Sequence, residues 1–123
     1  MKLKVSALFS AYLVLTAIIN EKRELPSIGQ YRVARMHDKL ESEFNVASAS
    51  RDELITKFGT EKDGAFSIYP PDAGWKEFAE AWDKVAAEEI EIEVQPIPLS
   101  SLGNSSNGVT AYEFKVLGDL VSE

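Results

Sequence analysis

The sequence predicts an α+β fold: an N-terminal helical hairpin with a long central helix, packed with a small β-sheet and further short helices. Residues 27–58 contain no proline and repeat their apolar positions at helical spacing. Residues 75–86 repeat that spacing with a polar outer side. Residues 89–95 alternate strictly, which is the period of a half-buried strand.

Met1 to Val5 alternates apolar residues with Lys2 and Lys4 and reads as a short strand. Ser6 then fits an N-cap for a helix to about Asn20. That helix is apolar nearly all round, as a buried helix is. A membrane span needs about 20 apolar residues, more than this segment has. A signal peptide would share its basic start and apolar centre. However, Ile18-Ile19-Asn20-Glu21 lacks the small-x-small pattern of a cleavage site. The charged turn Glu21–Pro26 folds this helix back on the next one, as an αα-hairpin.

The central helix is expected over residues 27–58, with Ser27 as N-cap and Gly59 in the C′ position. Val33, His37, Leu40, Phe44, Ala47, Arg51, Leu54 and Phe58 fall four and three apart, on one stripe. At 1.5 Å per residue it would be roughly 45–50 Å long. The sequence therefore demands a long hairpin arm or a break, and Asn45–Ser50 is the weak point by propensity. His37, the only histidine, suits a boundary position better than a metal site, since no cysteine exists to join it. Arg51 on the stripe either snorkels or marks a polar layer.

Asp63-Gly64 is a hairpin turn signal, with Phe66 and Ile68 on one face of the following strand. Pro70-Pro71 ends that strand, and Asp72 fits an N-cap. Trp75, Phe78, Ala79, Trp82, Val85 and Ala86 form the apolar side of the next helix. The two tryptophans on that side read as core. Lys76, Glu80, Lys84 and Glu88 form a ladder on the outside.

In residues 89–95, Ile90, Ile92 and Val94 face the core and Glu89, Glu91 and Glu93 share the other side. Adjacent carboxylates repel and need a basic neighbour. Lys2 and Lys4 supply it if the first strand lies alongside, in either direction. Pro96 and Pro98 end this strand, and residues 99–108 form a loop rich in Ser, Asn and Gly. Its Asn104-Ser-Ser106 sequon is ascribed to chance. Thr110-Ala-Tyr-Glu113 is a capping box opening a last helix with Phe114, Leu117, Leu120 and Val121, weakened by Gly118.

The chain has 123 residues, one domain's worth. It divides into a strand plus helical hairpin (1–60) and an acidic hairpin, helix, strand and C-terminal helix (61–123). The absence of cysteine excludes disulfides and thiolate metal sites. Net charge is −7, and residues 61–95 hold three Lys/Arg against ten Asp/Glu, whereas residues 1–60 hold nine against seven. That balance argues against direct nucleic-acid binding, which needs clustered cations. It fits a soluble surface, or an acidic one that meets a basic partner or mimics nucleic acid. No catalytic motif, phosphate loop or cofactor site is present in the pattern. Carboxylate pairs such as Glu91 with Glu93 suit acid–base work or Mg²⁺ and Ca²⁺, but their spacing matches no known cation loop. Candidate partner contacts are therefore Glu89, Glu91, Glu93, Glu80 and Asp83, with Arg35 and Lys39 on the outer side of the central helix.

The order of Leu25-Pro26, Arg51-Asp-Glu-Leu-Ile-Thr-Lys-Phe-Gly59, Asp63-Gly64, Pro70-Pro71, Glu89-Ile-Glu-Ile-Glu-Val94 and Pro96-Ile-Pro-Leu-Ser100 resembles small tailed-bacteriophage proteins of the DUF1617-type family. The likeness covers most of the chain and departs at the loop near 100–108 and at the apolar first helix. It implies a phage origin, a setting in the host cytoplasm or the virion, and a non-enzymatic role, and it carries over no catalytic residue. The expected function is protein–protein contact, as a virion component or assembly factor, with a phage structural or host protein as partner. The alternative is an inhibitor of a host nucleic-acid-binding enzyme or defence complex. Self-association through the helical arm is compatible with the same pattern.

Overall fold

The computed structural model describes residues 1–123. In chain order the elements are β1 (Lys2–Lys4), α1 (Val5–Asn20), α2 (Ser27–Phe58), β2 (Thr60–Lys62), β3 (Ala65–Ser67), α3 (Trp75–Ala86), β4 (Glu89–Glu91), β5 (Ile97–Pro98), α4 (Ala111–Leu117) and β6 (Val121–Ser122). Short 3₁₀ turns occupy Leu99–Leu102 and Gly118–Leu120. The fold is α+β, a helical framework trimmed by three two-stranded ladders.

α1 and α2 form the expected antiparallel hairpin. Leu8, Leu15 and Ile18 of α1 pack with Val33, Met36 and Leu40 of α2 in the core. Ile92, Ile97, Leu102, Leu117 and Leu120 close that core from the C-terminal half. Leu13 and Ile19 stay exposed, so α1 is not buried all round. No helix is long and apolar enough to cross a membrane.

The 32 residues of α2 run unbroken through Asn45–Ser50. Packing overrides the weak propensity there: Ala47 is buried, and the Phe44 ring lies 4.7 Å from Phe9 and 4.0 Å from Tyr12. Beyond that point α3 replaces α1 as the cover. Arg51 snorkels along this contact, its guanidinium 6.0 Å from the centre of the Phe78 ring. Phe78 is buried, whereas Trp75 and Trp82 are half-buried rather than fully core. Trp82 meets Phe9 edge-on at 5.7 Å.

Several end signals act differently from expectation. Ser27 lies inside α2, with Pro26 at the cap and no side-chain bond there. Ser6 lies inside α1, where Val5 N–H donates to the Glu88 carbonyl at 2.9 Å, so strand pairing takes over the capping role. Asp72 does not cap α3: its carboxylate accepts from Tyr69 N–H at 2.8 Å and closes the Pro70-Pro71 turn instead. Gly59 is extended, not left-handed. Its requirement is steric, since a Cβ there would strike the carbonyls of Ile55 and Ser67. Asp63 and Gly64 both have positive φ, 54° and 81°, as a type I′ hairpin needs. Phe66 in that hairpin is exposed and Ile68 half-buried.

β1 and β4 pair antiparallel, with Lys2 opposite Glu91, Leu3 opposite Ile90 and Lys4 opposite Glu89. This places the lysines beside the glutamates, as charge compensation requires. β4 is shorter than expected because the ladder runs out opposite Met1, whose carbonyl accepts Ile92 N–H at 2.9 Å. The expected loop at 99–108 begins with the 3₁₀ turn. Val121 leaves the last helix after Gly118 and pairs in parallel with Ile97.

Arg23 in the turn between α1 and α2 makes the shortest ion pair of the fold. It donates to both Glu113 carboxylate oxygens, at 2.6 and 3.0 Å, and to the Gly108 carbonyl at 3.0 Å. Glu113 also accepts from Thr110 N–H at 2.9 Å, completing the capping box of α4. Burial alone would push the Glu113 carboxyl up. The bonds from Arg23 and Thr110 outweigh burial and hold it below the usual carboxylate value. The bond to Glu113 likewise raises Arg23 against the opposing effect of burial. A depressed carboxyl adds stability that is fully present above its ordinary value of 4.5 and lost as pH falls through its folded value. Arg23→Ala leaves Glu113 buried without its cation and should lower unfolding free energy by about 3 kcal/mol at neutral pH. Urea titrations across pH should show this difference shrinking below pH 4.5.

Candidate functional site

The candidate residues separate into three places. Glu89 and Glu91 lie on the outer face of β4, interleaved with Lys2 and Lys4 of β1. Neither lysine reaches a glutamate within 4 Å; the Met1 amino group does, at 3.0 Å from Glu91. This face is mixed in charge rather than acidic. Glu80 lines a shallow depression of about 470 Å³ between α2 and α3, with Glu53, Glu77 and Lys84. Asp83 is exposed on α3 outside that depression.

Arg35, Lys39 and Glu93 come together in a groove of about 690 Å³ between the first half of α2 and residues 93–98. Arg32, Tyr31 and Ile28 join them from α2. Two local features set the path of the chain beside the groove. Pro96 and Pro98 cannot donate ladder hydrogen bonds, so the chain after β4 runs past α2 without extending that ladder. Gly29, buried on the first turn of α2, lets the Ser101 carbonyl approach where any Cβ would collide with it. The 3₁₀ turn is fixed there by Ser101, whose hydroxyl donates to the Pro98 carbonyl at 2.7 Å. Met36 and Ile97 are the buried parts of the floor.

Arg32, Arg35 and Lys39 make no ion pair within 4 Å anywhere in the chain. Beside them Ile28 is 49% and Tyr31 59% exposed, large apolar area left uncovered by the fold. Arg32, Tyr31 and Ile28 were not singled out from sequence. The signal was present, since Ile28, Arg32, Arg35 and Lys39 fall four, three and four apart, on one line of the helix.

His37 lies on the opposite side of α2, stacked on Tyr12 at 4.4 Å. Thr16 donates its hydroxyl proton to the Tyr12 carbonyl at 2.9 Å, so the 3.0 Å contact to His37 requires the imidazole Nε2–H to donate. This is a boundary histidine with a structural bond. No group of three or more His, Asp or Glu side chains converges on a point that would hold a metal ion.

No protein family, curated protein or solved structure matches this chain.

Replacing both Lys2 and Lys4 with glutamate sets like charges opposite Glu91 and Glu89. Thermal or urea unfolding should show a loss of about 1 kcal/mol that shrinks with added salt.

Proposed function

We propose that this is a small non-enzymatic phage protein that acts by protein–protein contact, as a virion component or assembly factor, and that the groove beside α2 is its contact surface. The observation that supports the groove is the coincidence of three cations without ion pairs and two exposed apolar side chains on one concave wall. Isolated exposed apolar residues are ordinary, but a concave site that combines an apolar anchor with fixed charges matches the anatomy of a protein interface. Arginine and tyrosine are also the residue types that most often anchor such interfaces. The phage setting rests on the order of sequence motifs.

A second reading is an inhibitor that presents residues 61–95 as an acidic mimic to a host nucleic-acid-binding protein. The ten carboxylates of that stretch favour it. The lysines between Glu89 and Glu91 count against it, because a mimic needs a continuous run of negative charge.

Mass spectrometry of purified mature particles and of assembly intermediates separates these readings. Stoichiometric presence in mature particles is expected for a virion component, and presence only in intermediates for an assembly factor. Arg35→Glu with Lys39→Glu should deplete the protein from both without unfolding it. Absence from both, with a basic host enzyme bound instead, would replace the proposal with the inhibitor.

A further inference from the structure

We infer that the groove between α2 and residues 93–98 takes an extended acidic segment of a partner protein, with alternate carboxylates set against Arg32, Arg35 and Lys39. The inference rests on the proposed contact function and names the chemistry of its partner.

Charge complementarity carries it. The protein as a whole has net charge −7. Its groove is lined by three cations and one carboxylate, Glu93. None of the three cations is neutralised within 4 Å by the chain's own carboxylates. The groove thus carries net positive charge on a protein of net charge −7, and an anionic group is the ligand that complements it.

Spacing then selects an extended peptide. Along the helix axis Arg32 and Arg35 are about 4.5 Å apart, and Arg35 and Lys39 about 6 Å. In an extended chain, alternate side chains point the same way and repeat every roughly 6.6 Å. Two carboxylates at i and i+2 therefore match Arg35 and Lys39, and a third at i−2 comes within reach of the flexible Arg32 side chain. Opposite them, the backbone N–H groups of Glu93 and Gln95 make no hydrogen bond within the chain. They are unpaired donors in the wall opposite α2, where the Val94 N–H bond to the Ile92 carbonyl at 3.0 Å turns the chain, and either can take a carbonyl of the bound segment. Ile28 and Tyr31 extend the site beyond the cations toward the start of α2 and offer apolar contact for one larger side chain.

A nucleic acid fits less well. Its phosphates continue well past three cations, on a protein whose net charge is −7. A carboxylate peptide is short enough to place its charge only where the cations are.

The test uses the whole protein, isotope-labelled, and an acetylated, amidated peptide of alternating glutamate and serine. A length of about eight residues overreaches the three cations at 3.3 Å per residue. Saturable binding is expected, with amide shifts centred on Tyr31, Arg35, Glu93 and Gln95. Arg35→Gln with Lys39→Gln should weaken it about ten-fold at unchanged melting temperature, and raising salt should weaken it several-fold. A lysine–serine peptide of equal length should not bind. The inference is overturned by absence of saturation, by shifts centred elsewhere, or by binding indifferent to the double variant. It is also overturned if a single-stranded oligonucleotide binds the groove more tightly, or if a second copy occupies it, seen as variant-sensitive self-association that excludes the peptide. The proposed contact function survives each of these if the wild-type protein is still incorporated into particles, so the two failures are distinguishable.

Discussion

A helix of 32 residues is longer than any one layer of a 123-residue chain can cover, and the rest of the structure depends on that constraint. At 1.5 Å per residue α2 extends about 48 Å, against a 16-residue α1 that reaches half as far. The remaining chain is arranged to supply the difference. α1 covers the first half of the buried side through Leu8, Leu15 and Ile18. α3 covers the second half through Phe78. The β1–β4 ladder ties the start of α1 to the chain leaving α3, so the two covers are linked through backbone hydrogen bonds. Phe9 stands at the changeover, touching Phe44 of α2 and Trp82 of α3.

What was legible in the sequence follows from how local the responsible forces are. The period of α2, the Asp63-Gly64 turn and the capping box of Thr110 with Glu113 depend on neighbours within four residues, and each appears in place. The pairing of β1 with β4 was legible for a different reason. Three glutamates on one face need a cationic neighbour, and the chain has one strand that alternates lysine with apolar residues. The helix starts were not legible, because Ser6, Ser27 and Asp72 offer capping side chains where tertiary contacts or turns took precedence. The Arg23–Glu113 pair joins residues 90 apart, and no local pattern announces it. The parallel contact of Ile97 with Val121 is likewise non-local. The break at Asn45–Ser50 failed to appear because aromatic packing outweighs a few tenths of a kcal/mol per residue of helix propensity. Of the candidate site, Arg35, Lys39 and Glu93 could be picked as exposed charges, but their convergence required the path of residues 93–98. Glu80, Asp83, Glu89 and Glu91 share a sign with Glu93 and lie elsewhere.

The lysines and arginines of the chain are placed in different ways, and only Arg23 among them is held in an ion pair. Arg23 is half-buried and bonded to Glu113, and Arg51 lies over an aromatic ring. Lys2 and Lys4 face glutamates across a ladder. Arg32, Arg35 and Lys39 instead stand three and four residues apart on one side of a helix, where like charges destabilise it by a few tenths of a kcal/mol per pair. Glutamate at Lys39 would have given Arg35 an opposite charge at the same spacing. Asp38, three residues after Arg35, and Glu43, four after Lys39, offset part of that repulsion. The three cationic side chains suit the partner contact proposed above better than a role in the fold. Pro96 and Pro98 restrict the backbone of one wall of the groove, and Gly29 permits the close approach of the Ser101 carbonyl at its end. For the proposed acidic segment, the ordering cost would fall mainly on the segment itself, and the attraction of the three cations would have to offset it.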